Sequence, residues 1–205
     1  MKKVLRLFVT AGLALALAGC GSSSSSSNAD LISVANTDTM TGKVHIAIEV
    51  QDYGTIKAEL NADIAPATVT NFVNLANEGF YDGLTFHRVI EEFMIQGGDP
   101  AGNGTGGSEL NVEGEFSSNN IENPLSHTRG AISMARSSAY DSASSQFFIV
   151  QADATYLDGD YACFGYVYEG MDVVDQIAAN TAVSDNNGTV ASGQQPVITS
   201  ITVID

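Results

Sequence analysis

No tryptophan occurs in this chain of 205 residues, and cysteine (two), histidine (three) and lysine plus arginine (eight) are scarce. Each scarcity removes a class of function. Cys20 and Cys163 are too few for a disulfide-dense scaffold or a cysteine-rich zinc site. His45, His87 and His127 are scattered, which leaves little material for a histidine metal cluster. Eight cations face 24 acids, a formal net charge of −16. That balance argues against nucleic acid, because the cations cannot neutralise a phosphate backbone. What is present is globular in kind: 44% hydrophobic and 16% charged residues supply a core and exclude wholesale disorder. The length suits one large domain plus a tail.

The N-terminus reads as an export signal, residues 1–19, outside the fold. Lys2, Lys3 and Arg6 precede the apolar stretch Leu7 to Ala18, broken only by Thr10. This run falls short of the about 20 apolar residues of a membrane span. It ends in Leu17-Ala18-Gly19-Cys20, which resembles the bacterial lipobox, whose cysteine is lipidated and becomes the mature N-terminus. The competing reading is an ordinary cleaved signal with a chance cysteine. Cleavage before Cys20 removes three cations and no acid, taking the formal charge from −16 to −19. Lipidation consumes Cys20 and leaves Cys163 without a disulfide partner. Residues 20–42, with a pure serine run at Ser22 to Ser27, read as a tether reaching roughly 25 Å by coil scaling.

Residues 43–205 read as one domain. Val44 to Val50 and Thr55 to Leu60 form a hairpin pattern around Asp52-Tyr53-Gly54. Pro66 opens a helix in which Val69, Phe72, Val73 and Ala76 share a face, and Gly79 closes it. Thr85 to Ile90 reads as a strand, continued by Phe93 to Gln96 after a kink at Glu91-Glu92. Residues 97–128 read as a long ordered loop. Strands are expected at 130–135, 146–150, 164–168 and 197–204, and a second helix at 171–179. Short strands with two separated helices predict a closed antiparallel barrel with helical caps.

Several motif matches have bland readings. Gly102, Gly104 and Gly107 fit G-x-G-x-x-G, yet no βαβ unit surrounds them, so they read as a glycine-rich loop. No G-x-S-x-G elbow supports a serine hydrolase. Asp185-Asn186-Asn187-Gly188 faintly resembles a calcium loop, but the twelfth position is Pro196, so it reads as a surface turn.

The informative stretch is Phe86-His87-Arg88-Val89-Ile90-Glu91-Glu92-Phe93-Met94-Ile95-Gln96-Gly97-Gly98-Asp99, one cation among aromatics in a cation-poor chain. It is followed in order by Asn103 to Gly107, Gly130 to Ala135, Ser145 to Ile149, Tyr156 to Gly159 and Phe164 to Val167. This set resembles the cyclophilin-type peptidyl-prolyl cis-trans isomerases across residues 43 to 205. The resemblance implies a mainly β fold, a closed eight-stranded antiparallel barrel capped by two α-helices. It also implies rotation about X-Pro bonds with no cofactor, no metal and no covalent step. The partners it implies are proline-containing peptide segments. The lipobox-like N-terminus adds that these belong to exported proteins, met by a monomer anchored through lipid to the bacterial cell envelope, and Gly21, giving no acidic retention signal, favours the outer membrane if there are two.

Carried over by motif, Arg88 matches the catalytic arginine, with Phe93 and Gln96 beside it. Phe93, Met94, Phe148 and Leu157 match the proline pocket. Gln96 and Gln146 match the positions that orient the arginine and the peptide backbone. Gly104 and Ala135 match narrow wall positions. Arg136 and Ser137 stand where the family pattern shows Asn and a small residue. Tyr156 and Tyr161 replace the family's frequent Trp and His at the rim, which bears on affinity for the inhibitor cyclosporin more than on reaction type. A non-catalytic peptide-binding chaperone is the alternative, disfavoured because Arg88, Phe93, Gln96 and Phe148 are all retained. An envelope structural protein is weaker, since no repeats occur. The stretch from Asn180 to Pro196 looks expanded and is left without a role.

Overall fold

The computed structural model describes residues 31–204. The expected signal and Cys20 therefore lie outside the described residues. Ten strands and two α-helices follow in order: β1 (Leu31–Ile32), β2 (Lys43–Val50), β3 (Gly54–Asn61), α1 (Pro66–Asn77), β4 (Phe86–Ile90), β5 (Met94–Gly97), β6 (Asn111–Val112), β7 (Ala131–Met134), β8 (Phe147–Val150), β9 (Cys163–Glu169), α2 (Met171–Asn180) and β10 (Ile198–Val203).

Eight strands form one antiparallel ladder in the order β10-β2-β3-β9-β7-β8-β5-β4. The expected closed barrel is corrected here: the sheet is an open half-barrel. Its end strands β4 and β10 are joined by the isolated pair Thr85–Val197 and by bonds such as Phe86 N–H to the Pro196 carbonyl at 2.9 Å. Pro196 has no N–H to return, so a ladder cannot propagate there. Further along β4, the free edge is taken by residues 188–190 instead. The Val89 N–H donates to the Gly188 carbonyl (2.8 Å) and the Val190 N–H to the His87 carbonyl (2.9 Å).

Side chains divide by strand period. Ile95, Phe147, Ile149, Ile132 and Met134 enter the main core with Phe72, Phe86 and Phe164, whereas Met94, Phe148, Val150 and Ala131 form a second buried cluster on the opposite face. That second cluster floors the site. The helical pattern of Val69, Phe72, Val73 and Ala76 is buried as expected. The helix ends in a Schellman motif: the Phe80 N–H donates to the Leu75 carbonyl and the Gly79 N–H to that of Ala76, with Gly79 at φ +70°.

Two other expectations change. Phe93 to Gln96 does not continue the preceding strand but turns back on it, with Glu92 at φ +60° in the turn and β4 paired antiparallel to β5. Within the expected tether, Leu31–Ile32 pairs in parallel with Asn111–Val112, and the Met40 N–H donates to Thr70 Oγ1 at 2.8 Å. Leu31, Ile32 and Met40 thus lie against the domain.

Candidate active site

The site begins with a bulge. Along β4, Phe86 pairs with Gly97 but Arg88 pairs with Gln96, leaving His87 as the extra residue. A bulge shifts the side-chain phase, so Phe86 stays in the core while Arg88 reaches the outer face opposite Gln96. The Arg88 Nη1 donates to Gln96 Oε1 at 3.1 Å, and the Gln96 Nε2 donates to Gln146 Oε1 at 2.9 Å. Gln146 Nε2 donates in turn to the Gly106 carbonyl at 2.8 Å. The chain of amides turns the Gln96 oxygen toward the guanidinium. A second grip is at Nε, which donates to the Asn187 carbonyl at 2.8 Å.

Beside Arg88 lies a cleft of about 330 Å³. The residues expected from sequence at Arg88, Phe93, Met94, Gln96, Gly104, Ala135, Arg136, Phe148, Leu157 and Tyr161 all line it. Gln146 and Ser137 are one step away, lining a neighbouring cleft of about 360 Å³ that shares Gln96, Gly104, Ala135 and Arg136 as its wall. Tyr156 does not line the first cleft. It is 71% exposed, with its ring centroid 6.0 Å from that of Phe93.

Electrostatics single out the same place. Of the five cations among the described residues, Lys43, Lys57 and Arg129 are paired with Glu59, Glu169 and Asp175 at 2.8, 2.9 and 2.7 Å. Arg88 and Arg136 form no ion pair among the described residues, and both line the cleft. Arg136 is instead caged by aromatic faces, its guanidinium carbon lying 5.1, 5.2 and 4.7 Å from the ring centres of Phe116, Tyr140 and Tyr161. Its Nε donates to the Asp160 carbonyl at 2.9 Å. Among the described residues, the arginine and lysine charge without an ion-pair partner is concentrated at one groove.

The floor is braced from below. His127 is buried, stacked 6.0 Å from Phe148, and bonded through Nδ1 to Asp158 (2.8 Å) and through Nε2 to Ser133 (2.9 Å). Burial holds its pKa below the ordinary histidine value despite the Asp158 carboxylate. Cys163 is a free thiol in this floor, its pKa pushed up to about 12 by burial.

Sequence reasoning missed His87, Asn103 and Thr189, which also line the cleft. His87 had a signal, since it sits between Phe86 and Arg88. Its consequence depended on the bulge, which carries no mark in sequence. Thr189 and the Asn187 carbonyl belong to the stretch left without a role, and only chain folding brings them to Arg88.

Comparison with known proteins identifies the family. The family model for cyclophilin type peptidyl-prolyl cis-trans isomerase/CLD matches residues 45–203. The chain belongs to the cyclophilin-type peptidyl-prolyl cis-trans isomerase family and is an isomerase of that class. It is 47% identical over 123 residues to peptidyl-prolyl cis-trans isomerase B of Bacillus subtilis, covering 60% of this chain and 82% of that one. It is also 47% identical over 126 residues to a peptidyl-prolyl cis-trans isomerase of Helicobacter pylori, covering 60% and 75%. A crystal structure of a Cryptosporidium parvum cyclophilin type isomerase superposes with a TM-score of 0.71 at 28% identity, covering 80% of this chain and 99% of that one. The same protein in the presence of the dipeptide Ala-Pro gives 0.69 at 30% identity, covering 78% and 99%.

Proposed function

We propose that this chain accelerates X-Pro rotation in exported proteins by holding the twisted transition state in the cleft, with no covalent intermediate. The barrier is about 20 kcal/mol, because rotation breaks amide resonance. Uncatalysed exchange takes tens of seconds or more, slow enough to limit folding. At the top of that barrier the prolyl nitrogen is pyramidal and more basic, so a donor aimed at it binds the transition state better than either ground state. Phe93, Met94, Phe148 and Leu157 grip the proline ring, and Arg88 supplies the donor. An arginine guanidinium presents planar donors as a fixed fork.

The observation that carries this reading is the Arg88–Gln96–Gln146 chain of hydrogen bonds at the edge of an apolar cleft. The test is a protease-coupled isomerase assay on the mature chain and on Arg88→Ala. The variant should lose at least about a hundredfold in kcat/KM with an unchanged circular dichroism spectrum. Near-normal turnover in a folded Arg88→Ala protein overturns the mechanism.

The location belongs to the same proposal. Leu17-Ala18-Gly19-Cys20 supports lipidation of Cys20 and retention at the cell envelope, with the domain working on clients outside the cytoplasm as a monomer. Cys20→Ser should abolish incorporation of labelled palmitate and yield a soluble or uncleaved protein. Continued labelling would show that the anchor is elsewhere.

A further inference from the structure

The stretch left without a role in the sequence folds back onto Arg88. We propose that the turn Asp185–Thr189 is a positioning element for catalysis, with Asp185 the residue that holds it, acting through the Asn187 carbonyl on the Arg88 Nε–H. This rests on the assignment of Arg88 as transition-state donor.

The turn is built as a small hairpin closed on itself. Val183 bridges Val190, the Ser184 N–H donates to the Thr189 carbonyl at 2.8 Å, and the Gly188 N–H donates to the Asp185 carbonyl at 3.1 Å. Asp185 braces it from inside: its Oδ1 accepts from the Asn187 N–H at 2.9 Å and from the Thr189 N–H at 3.1 Å. The hairpin is laid along the open edge of β4. Thr189 bridges Arg88, and the backbone bonds Val89 to Gly188 and Val190 to His87 flank that bridge. The approach is close enough that Gly188, at φ +78°, has no room for a side chain, since a Cβ there would collide with the Val89 carbonyl oxygen.

The consequence falls on the guanidinium. A free arginine side chain occupies many rotamers, and its fork is useful only when held. Gln96 takes Nη1 and the Asn187 carbonyl takes Nε. Nη2 makes no hydrogen bond among the described residues and is left for the substrate. Two grips from two different elements, β5 and the turn, define the plane of the fork. Removing the turn's grip should leave the charge and the pocket in place while spreading the donor over orientations that do not meet the prolyl nitrogen. Ground-state binding depends on the apolar pocket, so the loss should appear in kcat rather than KM.

The test uses the mature chain with Asp185→Ala, Asp185→Asn, Gly188→Ala and, as a control in the same segment, Ser192→Ala. Steady-state isomerase kinetics are read together with the Arg88 Nε–H resonance by nitrogen-15 NMR. Asp185→Ala and Gly188→Ala should each lower kcat about tenfold with KM within about twofold, and the Nε–H resonance should shift and exchange faster with water. Asp185→Asn keeps an Oδ1 acceptor and should restore most of kcat, and Ser192→Ala should match wild type. The proposal is overturned if kcat of Asp185→Ala and Gly188→Ala stays within about twofold of wild type, if the loss is carried by KM alone, or if the Nε–H resonance does not move. Arg88→Ala, run alongside, separates the two readings. If it is inactive while the turn variants are normal, the turn has no positioning role. If it is active, the assignment of Arg88 itself fails.

Discussion

Arg88 and Gln96 face each other across the β4–β5 pair because a bulge at His87 brings both side chains to the outer face of the sheet, where Nη1 and Oε1 meet at 3.1 Å. On the proposed role of Arg88, this contact makes Gln96 a positioning residue whose worth can be measured. Gln96→Leu removes the acceptor for Arg88 and the donor to Gln146 in one step. A hydrogen bond to a charged group is worth about 1.5–3 kcal/mol, so kcat/KM should fall roughly ten- to a hundredfold. The loss should be smaller than for Arg88→Ala, since the Asn187 carbonyl still holds Nε. Isomerase kinetics of the two variants side by side check the order.

Tyr156 stands apart from the cleft lining and is 71% exposed. Cyclosporin, which inhibits many members of this family, should therefore bind weakly. Where the family carries Trp, an indole N–H and a broad apolar face meet the ligand at the rim. Loss of one net hydrogen bond costs about 0.5–1.5 kcal/mol, and the missing apolar area about another 1 kcal/mol. Together these amount to roughly ten- to a hundredfold. Tyr156→Trp should recover part of that affinity without raising turnover. Inhibition constants for both proteins, taken during turnover, decide it, and equal values would clear Tyr156 as the determinant.

The buried histidines set a pH dependence of stability. Burial lowers the pKa of both His87 and His127. A base whose folded pKa is depressed contributes stability that is complete above its unfolded value, about 6.5. That contribution is lost as pH falls through the folded value, because the unfolded chain binds the extra proton. Each such proton gives a slope of up to about 1.4 kcal/mol per pH unit. Glu115 acts with the opposite sign, its pKa being raised by burial. The readout is therefore a difference. Urea midpoints between pH 7.5 and 5.5 should fall less steeply in His127→Gln than in wild type.

Cys163 should be chemically silent in the native protein. It is buried, and its thiol pKa is pushed up to about 12, so almost no thiolate exists near neutral pH. Iodoacetamide at pH 8 should leave the peptide containing Cys163 unmodified until denaturant is added, as read by mass spectrometry. Rapid labelling of the native protein would mean that the floor of the cleft opens.

Local pattern alone carried much of this. The spacing of Val69, Phe72, Val73 and Ala76 marked the buried face of α1, and Pro66 and Gly79 marked its ends, because helix period and end chemistry are nearest-neighbour properties. The run from Phe86 to Asp99 joined Arg88, Phe93, Met94 and Gln96 in one site through its resemblance to the family signature, not through strand alternation, which the bulge at His87 interrupts. Other features depend on chain segments far apart in sequence, whose meeting no local signal encodes. No acid lies in the first turn of α1, and its N–H groups at Ala67 and Thr68 are met by the buried Glu115 carboxylate, at 2.9 and 2.8 Å, from 48 and 47 residues away. The open edge of β4 is invisible locally, because whether a barrel closes depends on which donors reach the last strand, and Pro196 brings none. The hairpin at Asp185–Thr189 occupies that edge instead, so a stretch that reads as a plain surface turn lies 99 residues along the chain from the arginine it holds.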